Sequence, residues 1–113
     1  MTNNTIDNIE FPGNDLKAIE KFYGTVFGWT FTWYGEDYLE FHDGKIVGGF
    51  TKGYTGTAGK PLVILYHENL EQKQNDIVKN GGKITREIFA FPGGRRFHFT
   101  DPEGNELGVW SDK

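Results

Sequence analysis

Few residues of this chain can transfer protons or hold a charged ligand. Its three histidines, His42, His67 and His98, stand far apart in the sequence. Glu40 lies two residues before His42, so their side chains share one face of a predicted strand. Such groups can act as acid and base, or bind a cation where three or four converge. Cysteine is absent, which excludes disulfides, thiolate catalysis and cysteine-based metal centres.

Two neighbouring arginines form the second group with chemical potential. Arg95 and Arg96 follow a Pro-Gly-Gly turn, where they can hold an anionic ligand group or protect an exposed edge strand with charge. Residues 53–60 resemble a phosphate-binding loop. Pro61 stands where that loop needs Ser or Thr, so we exclude a phosphate loop.

The composition is that of one small globular domain. The chain has 113 residues, 36% of them hydrophobic and 25% charged, with ten Phe, five Tyr and three Trp. This aromatic content argues against disorder, and no apolar run is long enough to span a membrane. The net charge of −4 gives no indication of a nucleic-acid partner. The N-terminus lacks the features of a signal peptide, so we expect a cytoplasmic location.

The hydrophobic pattern predicts eight strands and two helices. The first helix is expected over residues 15–27, begun by Asn14 or Asp15 and ended by Gly28. The second is expected over residues 69–80, begun by Asn69. The strands are expected at residues 6–11, 29–34, 38–42, 45–51, 61–66, 83–91, 95–100 and 105–110.

The order of these elements repeats. Each half reads strand, helix and three strands, and the two helices align at an offset of 54 residues. Residues 44–50 match residues 104–110 at an offset of 60, which places six extra residues in the middle strands of the second half. The pattern therefore indicates an internal duplication: one domain, 1–113, with modules at about 6–53 and 60–112.

Three segments resemble the vicinal oxygen chelate superfamily, which includes glyoxalase I, bleomycin-resistance proteins and extradiol dioxygenases. They are residues 9–16, the Phe-Tyr and Phe-Gly-Trp motifs within 22–29, and Asp-Pro-Glu-Gly-Asn at 101–105 with the strand that follows. The chain is most similar to short bacterial proteins related to lactoylglutathione lyase. The resemblance implies an α+β fold of two βαβββ modules, whose curled, cup-like mixed sheet has helices outside and a small ligand inside. It also implies a homodimer, in which the cup forms within one chain or across two.

Strand alternation indicates which side chains would line that cup. Ile9, Phe11, Val63 and Leu65 have the apolar parity and should face the helices. The other parity, together with the resemblance, predicts a set of ligand-binding residues: Asn8, Glu10, Tyr38, Glu40, Ile64, Tyr66, Arg96, Gly108 and Trp110. His98 can face either the cup or solvent, and His67, just after a strand, is expected to be exposed.

Metal-dependent members of the superfamily place His or Glu at the first and last strand of each module. The resemblance transfers these positions to Asn8, Leu62, Gly108 and Gly48. None of the four is a good ligand for a divalent metal. We therefore expect no metal and no other cofactor.

Three functions are compatible with the sequence. The first is metal-independent binding of a small organic molecule, as in the bleomycin-resistance relatives. The second is a lyase-like or isomerase-like enzyme that uses Glu10 or His42 as acid and base. The third is a small interaction module whose cup has no ligand. Saturable ligand binding distinguishes the third function from the other two, and turnover distinguishes the second from the first.

The first testable prediction concerns the metal. A bound divalent ion needs about four donors, and the four transferred positions supply one amide. Elemental analysis of protein purified without chelator or histidine tag should detect no near-stoichiometric zinc, nickel, iron or manganese. Such a metal, lost on mutation of Asn8 or Glu10, would contradict the prediction.

Overall fold

The computed structural model describes residues 1–113, which form two compact units. The N-terminal unit comprises residues 8–61, and the C-terminal unit comprises residues 62–113 together with 1–7. The elements are β1 (Thr5–Pro12), α1 (Leu16–Phe27), β2 (Thr30–Tyr34), β3 (Tyr38–His42), β4 (Val47–Thr51), β5 (Leu62–Tyr66), α2 (Leu70–Lys79), β6 (Lys83–Phe91), β7 (Gly94–Thr100) and β8 (Glu106–Ser111). The predicted α+β class with two βαβββ repeats is confirmed.

The N-terminal unit has the strand order β2-β3-β4-β1. β1 runs parallel to β4, whereas β3 runs antiparallel to both of its neighbours, β2 and β4. Its core consists of Leu16 from α1 and the strand residues Leu39, Phe41 and Phe50, all at most 4% exposed. Phe11 packs against this cluster, which confirms its predicted parity.

The C-terminal unit repeats this plan in the order β5-β8-β7-β6, with β5 parallel to β8. Its core contains Leu70 of α2 together with Phe97 and Val109. Because Leu65 pairs with Val109, the predicted apolar parity of β5 also lies on the helix side. Neither α1 nor α2 has the length and apolar character that crossing a membrane requires.

Both helices begin at capping side chains. Asp15, rather than Asn14, caps α1, since its Oδ1 accepts a hydrogen bond from the Ala18 amide at 3.0 Å. Asn69 Oδ1 accepts from the Gln72 amide in the same way at the start of α2. Gly28 ends α1 at φ 71°, in the left-handed region that favours glycine. The two helices therefore begin and end within one residue of the predicted limits.

One strand boundary differs from the prediction by two residues, and the strand lengths agree with the predicted place of the extra residues. β4 begins at Val47 instead of residue 45, because Asp43 Oδ1 accepts hydrogen bonds from the amides of Lys45 and Ile46 and holds them in a turn. β6 and β7 hold nine and seven residues, whereas β2 and β3 hold five each. The extra residues of the second repeat therefore lie in the middle strands, as predicted.

The strand register corrects one repeat equivalence. The offset of 60 makes Gly48 the counterpart of Gly108. However, Gly48 pairs with Ile9 and Phe41 on the helix side, whereas Gly108 pairs with Ile64 and His98 on the opposite side. Gly49 is the true counterpart of Gly108. The sequence match missed this because a shift of one residue reverses the face of every side chain in a strand.

These glycines generate the second testable prediction. A Cβ at position 48 would overlap the buried Phe41 ring and the backbone carbonyl of Ile9, whereas a Cβ at position 108 would meet its neighbours at 3.5 Å or more. Gly48→Ala should therefore lower the free energy of unfolding by about 3 kcal/mol or more. Gly108→Ala should change it by less than about 1 kcal/mol. Urea unfolding of both variants measures this, and equal losses would contradict the register.

Candidate functional site

Each unit has one sheet face that its own helix does not cover. In the N-terminal unit, Glu10, Gly49 and Glu40 pair across three adjacent strands, on the side opposite Phe11 and Phe50. We call the residues of this parity, Asn8, Glu10, Tyr38, Glu40, His42 and Gly49, the N-terminal helix-free face. All five residues of this unit in the predicted ligand-binding and catalytic set lie on it.

A buried carboxylate lies at the centre of this face. Glu10 is only 4% exposed, although it belongs to a strand whose apolar residues already face the core. Gly49 beside it has no side chain, and the Tyr38 hydroxyl lies where a Cβ of residue 49 would be. Gly49 is the residue that pairs with Glu10. Because Gly49 has no side chain, the Tyr38 phenol fits against it.

An imidazole–carboxylate pair lies on β3, which β4 separates from β1. His42 Nε2 lies 2.9 Å from Glu40 Oε1 and 3.4 Å from Thr32 Oγ1. Both members of the pair are partly exposed, with side-chain exposures of 35% for His42 and 24% for Glu40. The carboxylate can orient the ring, as the second group of an acid–base pair does.

Asn8 carries a polar atom that the protein leaves unsatisfied. Its Oδ1 is buried and has no hydrogen-bond partner. An unpaired buried acceptor costs roughly 1–3 kcal/mol, and most such groups in proteins are paired. A donor from outside the chain would therefore gain this energy by binding Asn8.

The C-terminal helix-free face consists of Ile64, Tyr66, Phe89, Phe91, Arg96, His98, Gly108 and Trp110. Tyr66, Trp110, Arg96 and Phe89 form one row across four strands. The Tyr66 and Trp110 ring centroids are 5.3 Å apart, and the Arg96 guanidinium carbon lies 5.6 Å from the Phe89 centroid and 5.9 Å from that of Phe91. A cation between two aromatic rings suits a flat or anionic partner.

The polar groups of this face determine one another's protonation. Arg96 Nη2 lies 3.4 Å from His98 Nε2, and because arginine can only donate, this nitrogen must accept. His98 is fully buried, and desolvation, followed by the charge of Arg96, lowers its pKa below 6.5. Its other ring nitrogen, Nδ1, lies 3.6 Å from Glu106 Oε2. His98 is therefore neutral at pH 7.

Two other predicted residues of this unit have structural partners. Tyr66 donates a hydrogen bond to Asp112, which raises the pKa of the phenol. Trp110 donates its indole N–H to Asp7 Oδ2 at 2.9 Å. Arg95 lies away from Arg96 and forms an ion pair with Glu71 at 2.7 Å. The alternative that these arginines protect an edge strand is wrong, because β7 lies between β8 and β6. Of the two, Arg96 is the one that lies on the helix-free face and remains a candidate for binding an anion.

The expectation that His67 is exposed was wrong. This residue is 8% exposed, and its Nδ1 accepts a hydrogen bond from the Asn69 amide at 2.8 Å. Its own amide donates to the Trp110 carbonyl. The side chain satisfies an amide at the start of α2 that has no intrahelical partner. The sequence position after a strand gave no sign of this, since burial came from tertiary packing.

Two βαβββ units, each with one helix and one helix-free face, define the glyoxalase fold class. The chain belongs to the Glyoxalase/Bleomycin resistance protein/Dioxygenase superfamily, whose sequence profile matches residues 5–109. The resemblance drawn from the sequence motifs is therefore confirmed. A search of curated proteins found no match to the chain.

Solved structures support the same fold at low sequence identity. An NAD-dependent benzaldehyde dehydrogenase structure from Legionella pneumophila is 12% identical, with a TM-score of 0.76 over 94% of this chain and 98% of that one. The Mn(II)-bound glyoxalase from Novosphingobium aromaticivorans is 22% identical, with a TM-score of 0.64 over 95% of this chain and 38% of that one. Methylmalonyl-CoA epimerase from Mycobacterium tuberculosis is 10% identical, with a TM-score of 0.65 over 98% and 92%. These similarities establish the fold alone.

The residues present do not fit a divalent metal at the positions transferred from the superfamily. Of Asn8, Leu62, Gly108 and Gly49, the last replacing Gly48, only Asn8 has a donor atom in its side chain. The structure contains no group of three His, Asp or Glu side chains that could hold an ion. We therefore derive no reaction step through a metal.

The predicted set missed three residues of the C-terminal helix-free face, Phe89, Phe91 and His98. Alternation along β7 could have identified His98, because Phe97 and Phe99 on either side have the core parity. Alternation from Ile84 and Ile88, which pack against the core, could likewise have identified Phe89 and Phe91. It fails at Arg86, which has the parity of Ile84 but pairs with His98 on the helix-free face. The pairing of β6 with β7 shifts twice, between Ile84 and Arg86 and again before Phe89, and these shifts cannot be read from the sequence.

The third testable prediction follows from the burial of His98. Since its pKa is lower in the folded state than its ordinary value of 6.5, the unfolded chain binds the proton more tightly. The stabilisation present above pH 6.5 should be lost as the pH falls through 6.5 toward the lower folded pKa. The slope should reach at most about 1.4 kcal/mol per pH unit. His98→Asn should flatten this dependence in urea unfolding between about pH 7 and about pH 5.

The matched control is His42→Asn, which removes a half-exposed imidazole from the other unit and should leave the slope from His98 in place. Arg96, Glu106 and Arg86 are the charged groups that influence His98, and they remain in both variants. An unchanged slope in His98→Asn would contradict the assignment of a neutral, buried imidazole.

Proposed function

We propose that this protein binds a small organic molecule without a metal ion, and that the N-terminal helix-free face supplies the hydrogen bonds. The observation that carries the proposal is the buried, unpaired Oδ1 of Asn8. A folded protein seldom leaves such an acceptor unsatisfied unless a ligand or water pairs with it. Glu10, two residues along and on the same face, is also buried.

The residues of this face indicate the chemistry of the ligand. Asn8 Oδ1 requires an N–H or O–H donor. The Tyr38 ring, which lies against Gly49, offers a flat surface on which a planar group can stack. We therefore propose a planar molecule with a donor at one edge, such as an amide, an enol or a phenol. The apolar and cationic row of the C-terminal helix-free face offers a stacking surface of its own.

A second candidate function is proton transfer on such a ligand. The 2.9 Å contact between His42 and Glu40 supports it, because an oriented imidazole with partial exposure can remove a proton from a bound substrate. Isomerisation or epimerisation needs a proton moved at carbon and no other reagent. His42 would be the acid–base group in this alternative and Glu40 the positioning residue, with Glu10 as the other candidate base.

The fourth testable prediction separates ligand binding from stability at Asn8. Asn8→Leu replaces an unpaired amide by an apolar group of similar size, so the free energy of unfolding should stay within about 1 kcal/mol or rise. Affinity for a ligand that donates to Oδ1 should fall about 10-fold, the value of one hydrogen bond of about 1.4 kcal/mol. Hits come from a thermal-shift screen of a metabolite library, and calorimetric titration then measures their affinity.

Asn14→Leu is the matched control, since Asn14 is an exposed asparagine of the same unit outside this face. Equal affinity in the Asn8→Leu and Asn14→Leu variants would exclude Asn8 from the site. Each hit is also incubated with the protein in D₂O and followed by proton NMR. Exchange of a carbon-bound hydrogen that His42→Gln abolishes would favour the enzyme over the binding protein.

A further inference from the structure

A cleft lies on the other side of the same N-terminal sheet. It has a volume of about 340 Å³ and opens between α1, the sheet and the segment that leads to β5. Phe11, Phe50, Ile19 and Tyr23 form its apolar walls, and Lys60 and Pro61 border it from the connecting segment. Because Phe11 and Phe50 have the core parity, this cleft is separate from the helix-free face.

The aromatic walls are fixed before any ligand arrives. Tyr23 stacks on Phe50 at 5.3 Å and on Trp29 at 4.7 Å, while Phe50 also stacks on Phe11 at 5.3 Å. Rings held on several sides lose little freedom when another ring packs against them. The cleft volume of about 340 Å³ lies at the lower end of the usual range of ligand pockets. This volume and the apolar walls suit a ring system of about ten carbon atoms.

Lys60 is the only residue bordering the cleft that carries a charge at neutral pH. Its ammonium group forms no ion pair within the protein. The Lys60 amide donates to the Thr57 carbonyl at 3.2 Å, and its carbonyl accepts a hydrogen bond from the Tyr54 hydroxyl. The connecting segment is thus closed on itself, which holds the base of the lysine side chain beside the apolar walls.

We propose that this cleft is a second binding site, and that it takes a small aromatic carboxylate. The ring packs against the apolar side chains of Phe11, Ile19 and Tyr23, and the carboxylate pairs with Lys60. An apolar wall with one cation fits this ligand class better than a neutral hydrocarbon, which leaves the ammonium unused, or a dianion, which the cleft cannot neutralise. A larger cleft of the same unit, about 670 Å³, is lined by charges of both signs: Asp15, Glu36, Lys17 and Lys52. It does not combine an apolar wall with a single cation.

The fifth testable prediction uses 2-naphthoate as the probe and 2-naphthalenemethanol as its neutral match. Naphthoate should shift the methyl resonance of Ile19 in a saturable way in methyl NMR, and should leave Ile64 on the C-terminal helix-free face unchanged. The alcohol should bind more weakly. Lys60→Gln should weaken naphthoate about 3-fold and Lys60→Glu about 10-fold, with little effect on the alcohol. Lys60→Arg should retain the affinity.

Lys45→Gln is the matched control, because it removes one exposed lysine charge from the same unit outside the cleft. Equal weakening by Lys45→Gln and Lys60→Gln would overturn the assignment of Lys60. Shifts at Ile64 without shifts at Ile19 would overturn the site. The Asn8→Leu variant should bind naphthoate normally, so this proposal and the proposed function on the helix-free face fail or succeed independently.

Discussion

The arrangement of both units depends on one constraint: a four-stranded sheet has two faces, and each unit has one helix to cover them. Period-two alternation then divides every strand into residues that pack under the helix and residues that do not. In the N-terminal unit this separates Phe11 and Phe50 from Glu10 and Gly49, which are their immediate neighbours in sequence. The core and the candidate site thus lie back to back on the same strands, and a shift of one residue in register would exchange them.

The helix-free faces bury polar and ionisable groups, which lowers the stability of the fold. Glu10, Arg96 and His98 are at most 9% exposed, and the Asn8 amide oxygen has no partner. Stability alone would favour apolar residues at such positions, because burial of an ionisable group requires compensation by partners. In the His98 region the compensation is a neutral imidazole that accepts from Arg96. Polar groups retained at this cost are typical of binding sites, whereas the helix sides of both sheets are lined by apolar residues.

The two units have the same order of elements, but their middle strands differ. The longer β6–β7 pair, with its two shifts in register, carries the Phe89, Phe91 and Arg96 cluster, which has no counterpart on the short β2–β3 pair. The N-terminal unit instead carries the His42–Glu40 pair. Each unit therefore offers a different chemistry on the same scaffold, aromatic and cationic in one and acid–base in the other. Membership in the superfamily fixes the fold and leaves this division of chemistry to the particular chain.

The sequence alone determined the repeat, both helices, all eight strands and the face of nearly every predicted site residue, because caps, turns and strand alternation are local properties. Strand alternation also predicts the helix-free face for Asn8, Glu10, Glu40 and Arg96. Local rules failed where distant segments meet. The pairing of Gly48 with Ile9, the burial of His67 and the face of Arg86 between two register shifts depend on which segments become neighbours. The tertiary structure alone decided that Asn8 has a buried oxygen without a partner, that His98 is neutral, and that Lys60 borders an aromatic cleft, since burial and pairing are properties of the packed chain.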